Sequence, residues 1–164
     1  LLLTAEDYDV VSDQYEKEAM KNKGHLVKYI LDETSEKDIL ISRIAKENNM
    51  YVTEFKTHEF DTSIDNCTRR PVEEWLQMFK HAGYVVTDSF HACVFSILNH
   101  KQFTVVANKT RGIDRFDSLL KIFELTDRMI FSPNEYKKLP DIDYYKADII
   151  LKQKRKETYE FLKT

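Results

Sequence analysis

The segment TDSFHA combines residue types that suit the binding of an anion. It follows the apolar run YVV, and the spacing of apolar residues predicts a helix that begins at or near Phe90. Asp88 and Ser89 are suitable helix caps, and His91 falls in the first helical turn, beside the positive end of the helix dipole. We therefore predict an anion site here. The simpler alternative is that Ser89 only caps the helix, while His91 packs or bonds to a neighbouring backbone carbonyl.

A second polar segment, NKTRGIDR, brings three cations within seven positions. Arg111 and Arg115 can form a planar fork for a phosphate or carboxylate, and Lys109 adds a point charge. Gly112 leaves room for close approach. The alternative is a solvated loop in which Asp114 caps the following helix.

Composition and motifs argue against several other kinds of chemistry. The chain has 164 residues and a formal charge of −3, with 25 basic and 28 acidic residues mixed along it, so it lacks the one-signed surface that nucleic acid attracts. Its longest apolar runs are far shorter than the ~20 residues that span a bilayer. No Gly-rich phosphate motif, metal-ligand spacing or serine hydrolase motif occurs. Cys67 and Cys93 make no disulfide framework, which favours a reducing cytoplasm.

Strand and helix patterns alternate between residues 26 and 125. Short apolar runs predict strands, and apolar residues at helical spacing predict the helices between them. The predicted strands are LVKYIL, YVTEFKT, YVVTDSF and QFTVVANK, and the predicted helices begin near Ser35, Pro71, His91 and Arg115. For the helix that begins near Ser35, the buried face is predicted at Ile39, Ile41, Ile44 and Ala45. The polar residues 58–70 are predicted to form a loop.

This alternation predicts a Rossmann-like α/β fold, a doubly wound sheet of parallel strands with right-handed helical crossovers. Ligands of such sheets bind beyond the carboxyl ends of the strands, where loops and helix amino termini meet. Residues 87–91 and 108–115 both follow strands, so we expect them at the same edge of the sheet. Residues 32–35 and 57–70 are expected there as well.

The whole chain, residues 1–164, is predicted to be one domain with peripheral helical segments at residues 1–24 and 144–164. The opening LLLTAEDYDVVSD has neither an initiator Met nor a basic region ahead of a long apolar stretch, so it does not match a signal peptide. We expect the chain to be part of a longer protein in which another domain shares the site.

The segment YVVTDSFHACVFSILNHKQFTVVANKTRGIDRFDSLLKIFEL is similar to the carboxyl-terminal part of polysaccharide pyruvyl transferases. The likeness begins at LLLTAEDYD and is strongest over residues 73–128. Its most specific part is a strand that ends in SFH, followed by a helix of small and apolar residues. A second strand ending near an asparagine and a Leu-rich helix after RxxR-like basic residues complete the resemblance.

The resemblance implies a protein of two facing Rossmann-like halves, like the GT-B glycosyltransferases, with this chain as the carboxyl-terminal half. Members of the family transfer the enolpyruvyl group of phosphoenolpyruvate to two hydroxyls of a sugar, forming a pyruvate ketal on a surface or capsular polysaccharide. The implied donor substrate is phosphoenolpyruvate, and the implied acceptor is a sugar or a lipid-linked saccharide. No cofactor or metal is implied.

The histidine that matches His91 lies at the donor site of the family and is a candidate general acid, so His91 is the implied catalytic residue. We predict substrate-binding roles for Asp88, Ser89, Phe90, Lys109, Arg111 and Arg115. Some members have Arg-Leu-His where this chain has Ser89-Phe90-His91, so their donor-binding arginine has no counterpart at Ser89. Lys109, Arg111 or Arg115 is expected to supply that charge.

Two alternatives stay open from the sequence. One is a glycosyltransferase of the same architecture that uses a nucleotide-sugar donor. The other is a non-catalytic module that binds an anionic glycan or a phosphate.

Overall fold

A computed structural model describes residues 3–55, 71–108 and 112–163, in which strands and helices alternate. The strands are β1 (Leu26–Tyr29), β2 (Val52–Glu54), β3 (Tyr84–Thr87), β4 (Gln102–Val106) and β5 (Met129–Ile130). The α-helices are α1 (Ala5–Ser12), α2 (Glu16–Ala19), α3 (Ser35–Glu47), α4 (Val72–His81), α5 (Phe90–Leu98), α6 (Ile113–Ile122) and α7 (Tyr144–Leu162).

The five strands form one sheet in the order β2-β1-β3-β4-β5, and every neighbouring pair is parallel. The chain therefore moves outward from β1 to β2 in one direction and from β3 to β5 in the other. The strand order reverses between β1 and β3, which is where open α/β sheets bind their ligands. The predicted Rossmann-like parallel fold is confirmed, and the short strand β5 was not anticipated.

Helices cover both faces of the sheet, because successive residues of each strand point to opposite sides. On β3, Val85 belongs to a core cluster that includes buried residues of α4, α5 and α6, whereas Val86 belongs to a second cluster with α3. All four residues of β3 are buried. A strand buried on both faces reads as a continuous apolar run, which is the pattern that YVV shows in the sequence.

The buried face of α3 differs from the predicted one. Its buried residues are Lys37, Leu40, Ile41, Ile44 and Ala45, which follow helical spacing. Ile39 is 70% exposed, because it lies on the opposite side of the helix from this stripe. The helix begins at Ser35, as predicted, and its amino-terminal cap is Thr34, whose hydroxyl oxygen accepts a hydrogen bond from the Lys37 amide at 3.3 Å.

The elements around the two polar segments begin and end close to the predicted positions, with two differences. The strands are shorter than predicted, since β3 ends at Thr87 and β4 ends at Val106. Helix α6 begins at Ile113, earlier than the predicted start near Arg115, after Gly112 with φ 67°. Helix α5 begins at Phe90, as predicted. The predicted loop at residues 58–70 lies outside the described residues.

The two ends of the described chain are helical and pack against the α/β core. In α1, the Tyr8 ring meets the edge of Phe95 with centroids 4.9 Å apart, and Gln77 Nε2 donates to Ser12 Oγ at 2.9 Å. In α7, Ala147 and Leu151 are the buried residues. The first half of α7 is therefore anchored to the core, whereas most of its later residues are exposed.

Candidate functional site

A cleft of about 120 Å³ lies beyond the carboxyl ends of β1, β3 and β4, at the point where the strand order reverses. Five of the seven predicted site residues line it, namely Asp88, Ser89, Phe90, His91 and Arg115. The other two, Lys109 and Arg111, lie outside the described residues. The remaining lining residues are Leu31, Asp32, Asn108 and Phe116. The sheet topology thus brings both polar segments to one cleft.

The His91 side chain stands in the first turn of α5 and is exposed in this cleft. Its ring centroid lies 5.9 Å from that of Phe90, nearly edge to face. Among the described residues, no hydrogen bond to the imidazole is formed, so the ring is available to a ligand. The ring is therefore not packed in the core.

The amino terminus of α5 has no side-chain cap within the described part of the chain. Ser89 occupies the cap position and is buried, but its side chain accepts no capping hydrogen bond, so the prediction that it caps the helix through its hydroxyl is wrong. The Ser89 amide instead donates to Thr87 Oγ1 at 3.0 Å, and that hydroxyl donates to the Tyr29 carbonyl at 2.7 Å. The first amides of α5 therefore retain the positive potential that attracts anions.

Arg115 brings a cation to the same cleft from the first turn of α6. Its guanidinium carbon lies 5.2 Å from the centroid of the Phe90 ring, in a cation–π contact. Gly112 gives it space, because a Cβ at that position would lie 3.0 Å from Arg115 Nη2. Gly112, and not Asp114, is the cap residue of α6. Arg115 is exposed and lines the cleft, and no carboxylate in the described part of the chain forms an ion pair with it.

The Asp88 carboxylate is held by the protein itself. Its side chain is 2% exposed, and Oδ2 lies 2.8 Å from the ammonium of Lys37. The amides of Leu31 and Asp32 donate to its two oxygens at 2.7 and 3.0 Å. Asp88 therefore ties the loop after β1 to the loop after β3 and does not cap α5, contrary to one expectation. A direct contact between Asp88 and a ligand stays a prediction.

Asp32 is fixed at the β1 side of the cleft. Its amide donates to Asp88, its carbonyl accepts from Lys37 Nζ at 2.6 Å, and its carboxylate lies 3.5 Å from Asn108 Nδ2. Because β3 lies between β1 and β4, the contact with Asn108 reaches across the carboxyl end of β3. The Asp32 carboxylate therefore lies over the junction where α5 begins.

Sequence reasoning missed Lys37 as a site residue, and it indicated Asp32 and Asn108 only as parts of loops. Lys37 is three and four positions before Leu40 and Ile41, so its spacing places it on the buried stripe of α3. That spacing was the available signal. Asn108 follows a buried strand, as ligand-contacting residues of parallel sheets do.

Burial changes one ionisation near the cleft. The Tyr29 hydroxyl has a pKa above its ordinary value, because burial disfavours the phenolate and the nearby Asp88 carboxylate adds to the effect. Tyr29 therefore stays neutral at physiological pH and is unsuited to act as a base.

A larger cavity of about 390 Å³ lies at the other end of the sheet, beside the loop that leads into β4. Its charged side chains already have partners. His100 Nε2 lies 2.9 Å from Asp148 Oδ1, Lys80 lies 3.0 Å from Asp9, and Arg155 donates to the Leu3 carbonyl at 2.6 Å. This cavity therefore lacks the unmatched positive charge of the smaller cleft, and the smaller cleft is the better candidate for an anionic ligand.

Two other kinds of site are absent from the described ranges. Within residues 3–55, 71–108 and 112–163, no three His, Cys, Asp or Glu side chains are grouped to hold a metal ion. No helix in this described part of the chain is both long and apolar enough to cross a membrane.

Comparison with known proteins gives one match. The family model described as polysaccharide pyruvyl transferase matches residues 2–110, which include α5 and the start of the basic segment. No curated protein and no solved structure matches the chain. The matched region covers more than half of the 164 residues and contains the loops after β1 and β3, the first turn of α5 and the start of the loop after β4, which carry seven of the nine residues that line the cleft. The chain therefore belongs to the polysaccharide pyruvyl transferase family.

Proposed function

We propose that the cleft binds phosphoenolpyruvate as donor and that the protein transfers the enolpyruvyl group to a saccharide acceptor as a pyruvate ketal. The observation that carries the proposal is that His91 and Arg115 line one cleft at the uncapped amino terminus of α5. Family membership supplies the reaction class, because the family is one of transferases that act on polysaccharides. We further propose that the product is a surface polysaccharide.

The residue types suit a donor that carries both a phosphate and a carboxylate. The first amides of α5 and the Arg115 guanidinium supply donors for these anionic groups. Lys109 and Arg111 are proposed as additional cations on the segment that precedes Gly112. Together these cations replace the arginine that some family members carry at the position of Ser89.

His91 is proposed to deliver a proton to the methylene carbon of phosphoenolpyruvate. Protonation leaves an oxocarbenium-like centre at the neighbouring carbon, which a sugar hydroxyl then attacks. An exposed imidazole beside an anion site suits this role, because histidine is the side chain that most often serves as a general acid or base. A general acid in this position contributes typically ~10²–10⁴ in rate.

We also propose that this chain is the carboxyl-terminal, donor-binding half of a GT-B-like protein that acts in the cytoplasm. The resemblance at residues 73–128 supports the first point, and the free buried thiol of Cys93 accords with a reducing compartment. An isolated domain of this kind should not turn over, because the facing half that closes the cleft would be absent. Pyruvyl transfer by residues 1–164 alone would contradict this part of the proposal.

Donor discrimination by the intact protein tests the proposed function. Phosphoenolpyruvate should raise the Tm of the protein, because a ligand that binds only the folded state stabilises it, whereas a nucleotide sugar should not. Stabilisation by a nucleotide sugar instead would favour a glycosyltransferase. Binding of phosphoenolpyruvate without transfer to any offered saccharide would favour a non-catalytic anion-binding module.

A further inference from the structure

The cleft has a carboxylate on one side and a cation on the other. Asp32 follows β1 and Arg115 lies on the helix after β4, with β3 between those strands in the sheet. An anionic donor is attracted to the Arg115 side. The Asp32 side of the cleft carries a carboxylate that can accept a proton, so it is suited to a group that can donate one.

The backbone of Asp32 is held in place by two hydrogen bonds. Its amide donates to Asp88 Oδ2 at 3.0 Å, and its carbonyl accepts from Lys37 Nζ at 2.6 Å. Both anchoring side chains are almost fully buried, at 2% exposed for Asp88 and 11% for Lys37. The Asp32 carboxylate itself lines the cleft, beside Asn108. A carboxylate on a fixed backbone costs little reorganisation when a substrate arrives.

We propose that Asp32 is the general base that accepts the proton of the first acceptor hydroxyl, an inference that rests on the proposed function. His91 gives its proton to the methylene carbon, which becomes a methyl group. The hydroxyl oxygen then bonds to the neighbouring carbon of the donor, and its proton passes to the Asp32 carboxylate.

The second half of the reaction returns both groups to their starting states. The bond between the donor carbon and the phosphate oxygen breaks, its electron pair leaves with phosphate, and Asp32 returns its proton to that oxygen. The second hydroxyl bonds to the same carbon, and its proton passes to His91. Of the two hydroxyl protons, one is thus balanced by the new methyl hydrogen and the other leaves on inorganic phosphate.

Two variants of the intact protein separate a base from a structural residue. Asp32→Asn should lower kcat by about 10²–10⁴-fold while the KM for phosphoenolpyruvate changes by less than about tenfold. Asp32→Ala should regain at least about tenfold in rate when formate is added, because formate can replace the missing carboxylate. Asp114→Asn is the matched control, since Asp114 is an exposed aspartate of α6 outside the cleft lining and its loss should leave kcat unchanged.

The outcomes distinguish this inference from the proposed function. Wild-type kcat in Asp32→Asn, or an inactive Asp32→Ala that formate does not rescue, would overturn the role of Asp32 alone. Failure of phosphoenolpyruvate to stabilise the wild-type protein would remove the proposed function and this role with it. Thermal stabilisation of Asp32→Asn by phosphoenolpyruvate, together with lost transfer, would support both.

Discussion

The ammonium of Lys37 lies 2.8 Å from Asp88 Oδ2, and this ion pair joins α3 to the loop after β3 with both side chains almost fully buried. Taking two charges out of water is costly, so the pair is weak evidence of net stabilisation. Removal of one partner should destabilise the fold, because it leaves the other charge buried and uncompensated. The pair also holds Asp32, so its loss should disturb the cleft.

Lys37→Met should therefore lower the free energy of unfolding by about 3–5 kcal/mol. Lys121→Met is the matched control, because Lys121 pairs with Asp117 at 2.6 Å with the two side chains 66% and 38% exposed. Its loss should cost about 0.5 kcal/mol or less. Urea unfolding of both variants measures the difference in unfolding free energy. Equal reductions in the two variants would show that the buried pair matters no more to stability than the exposed one.

Replacement of His91 should slow catalysis without harming the fold. His91→Ala is expected to lower turnover by about 10²–10⁴-fold, because the proposed proton donor is removed. The Tm should stay unchanged, since the side chain is exposed and makes no hydrogen bond to the described residues. Steady-state kinetics and thermal unfolding of the intact protein measure the two effects.

The control for this variant is His100→Asn. His100 is also exposed but pairs with Asp148 at the far end of the sheet, and asparagine tolerates its φ of 54°. Its replacement should leave turnover at the wild-type level. Normal turnover in His91→Ala would show that another group protonates the donor.

Arg115 should govern affinity for the donor. Arg115→Ala is expected to raise the Kd for phosphoenolpyruvate about 10–100-fold, since a hydrogen bond to a charged group contributes about 1.5–3 kcal/mol. Arg43→Ala is a close control, because Arg43 lies 5.2 Å over the ring of Tyr136, as Arg115 lies over Phe90, but away from the cleft. Isothermal titration should show donor affinity preserved in that control. Equal affinities in the two variants would exclude Arg115 as a donor ligand.

The local parts of the site could be predicted from the sequence. A strand that ends in polar residues and leads into a helix places His91 in a first helical turn regardless of the rest of the fold. The order of the strands could not be predicted in this way. Alternation of strands and helices predicts parallel strands, but it does not say that β3 lies beside β1. The contact of Asp32 with Asn108 depends on that order, so it could not be foreseen.

Lys37 illustrates a second limit of sequence reasoning. A lysine on a helix normally faces water, and that expectation outweighs its spacing from Leu40 and Ile41. Only a buried carboxylate in reach makes the buried position favourable, and Asp88 lies 51 residues away along the chain. Such partnerships between distant segments are what the residue pattern of a single helix cannot show.

Cys93 should be inert in the folded protein. Burial raises the pKa of its thiol to about 12, so the reactive thiolate is scarcely populated at neutral pH. A Cys67→Ser variant, in which Cys93 is the remaining cysteine, should resist a thiol reagent until it is unfolded in urea. Rapid labelling under native conditions would mean that α5 opens readily.

Gly83 should be the least replaceable glycine outside the cleft. A Cβ at residue 83 would collide with the carbonyl oxygen of Gly24, and the two glycines sit where α4 passes into β3 beside the start of β1. The chain is held there by hydrogen bonds from the Gly24 amide to the His81 carbonyl at 2.9 Å and from the Gly83 amide to the His25 carbonyl at 2.8 Å. Because the colliding atom belongs to the backbone, Gly83→Ala should cost about 3 kcal/mol or more of unfolding free energy.

Gly24→Ala provides the comparison, since Gly24 has φ 78° but open space around its would-be Cβ. Its cost should be only that of the left-handed conformation, about 1–2 kcal/mol. Chemical denaturation of both variants should therefore place Gly83→Ala below Gly24→Ala in stability. If Gly83→Ala were the more stable variant, the backbone between α4 and β3 would be able to move apart at little cost. The register of β1 against β3 would then not depend on this close approach.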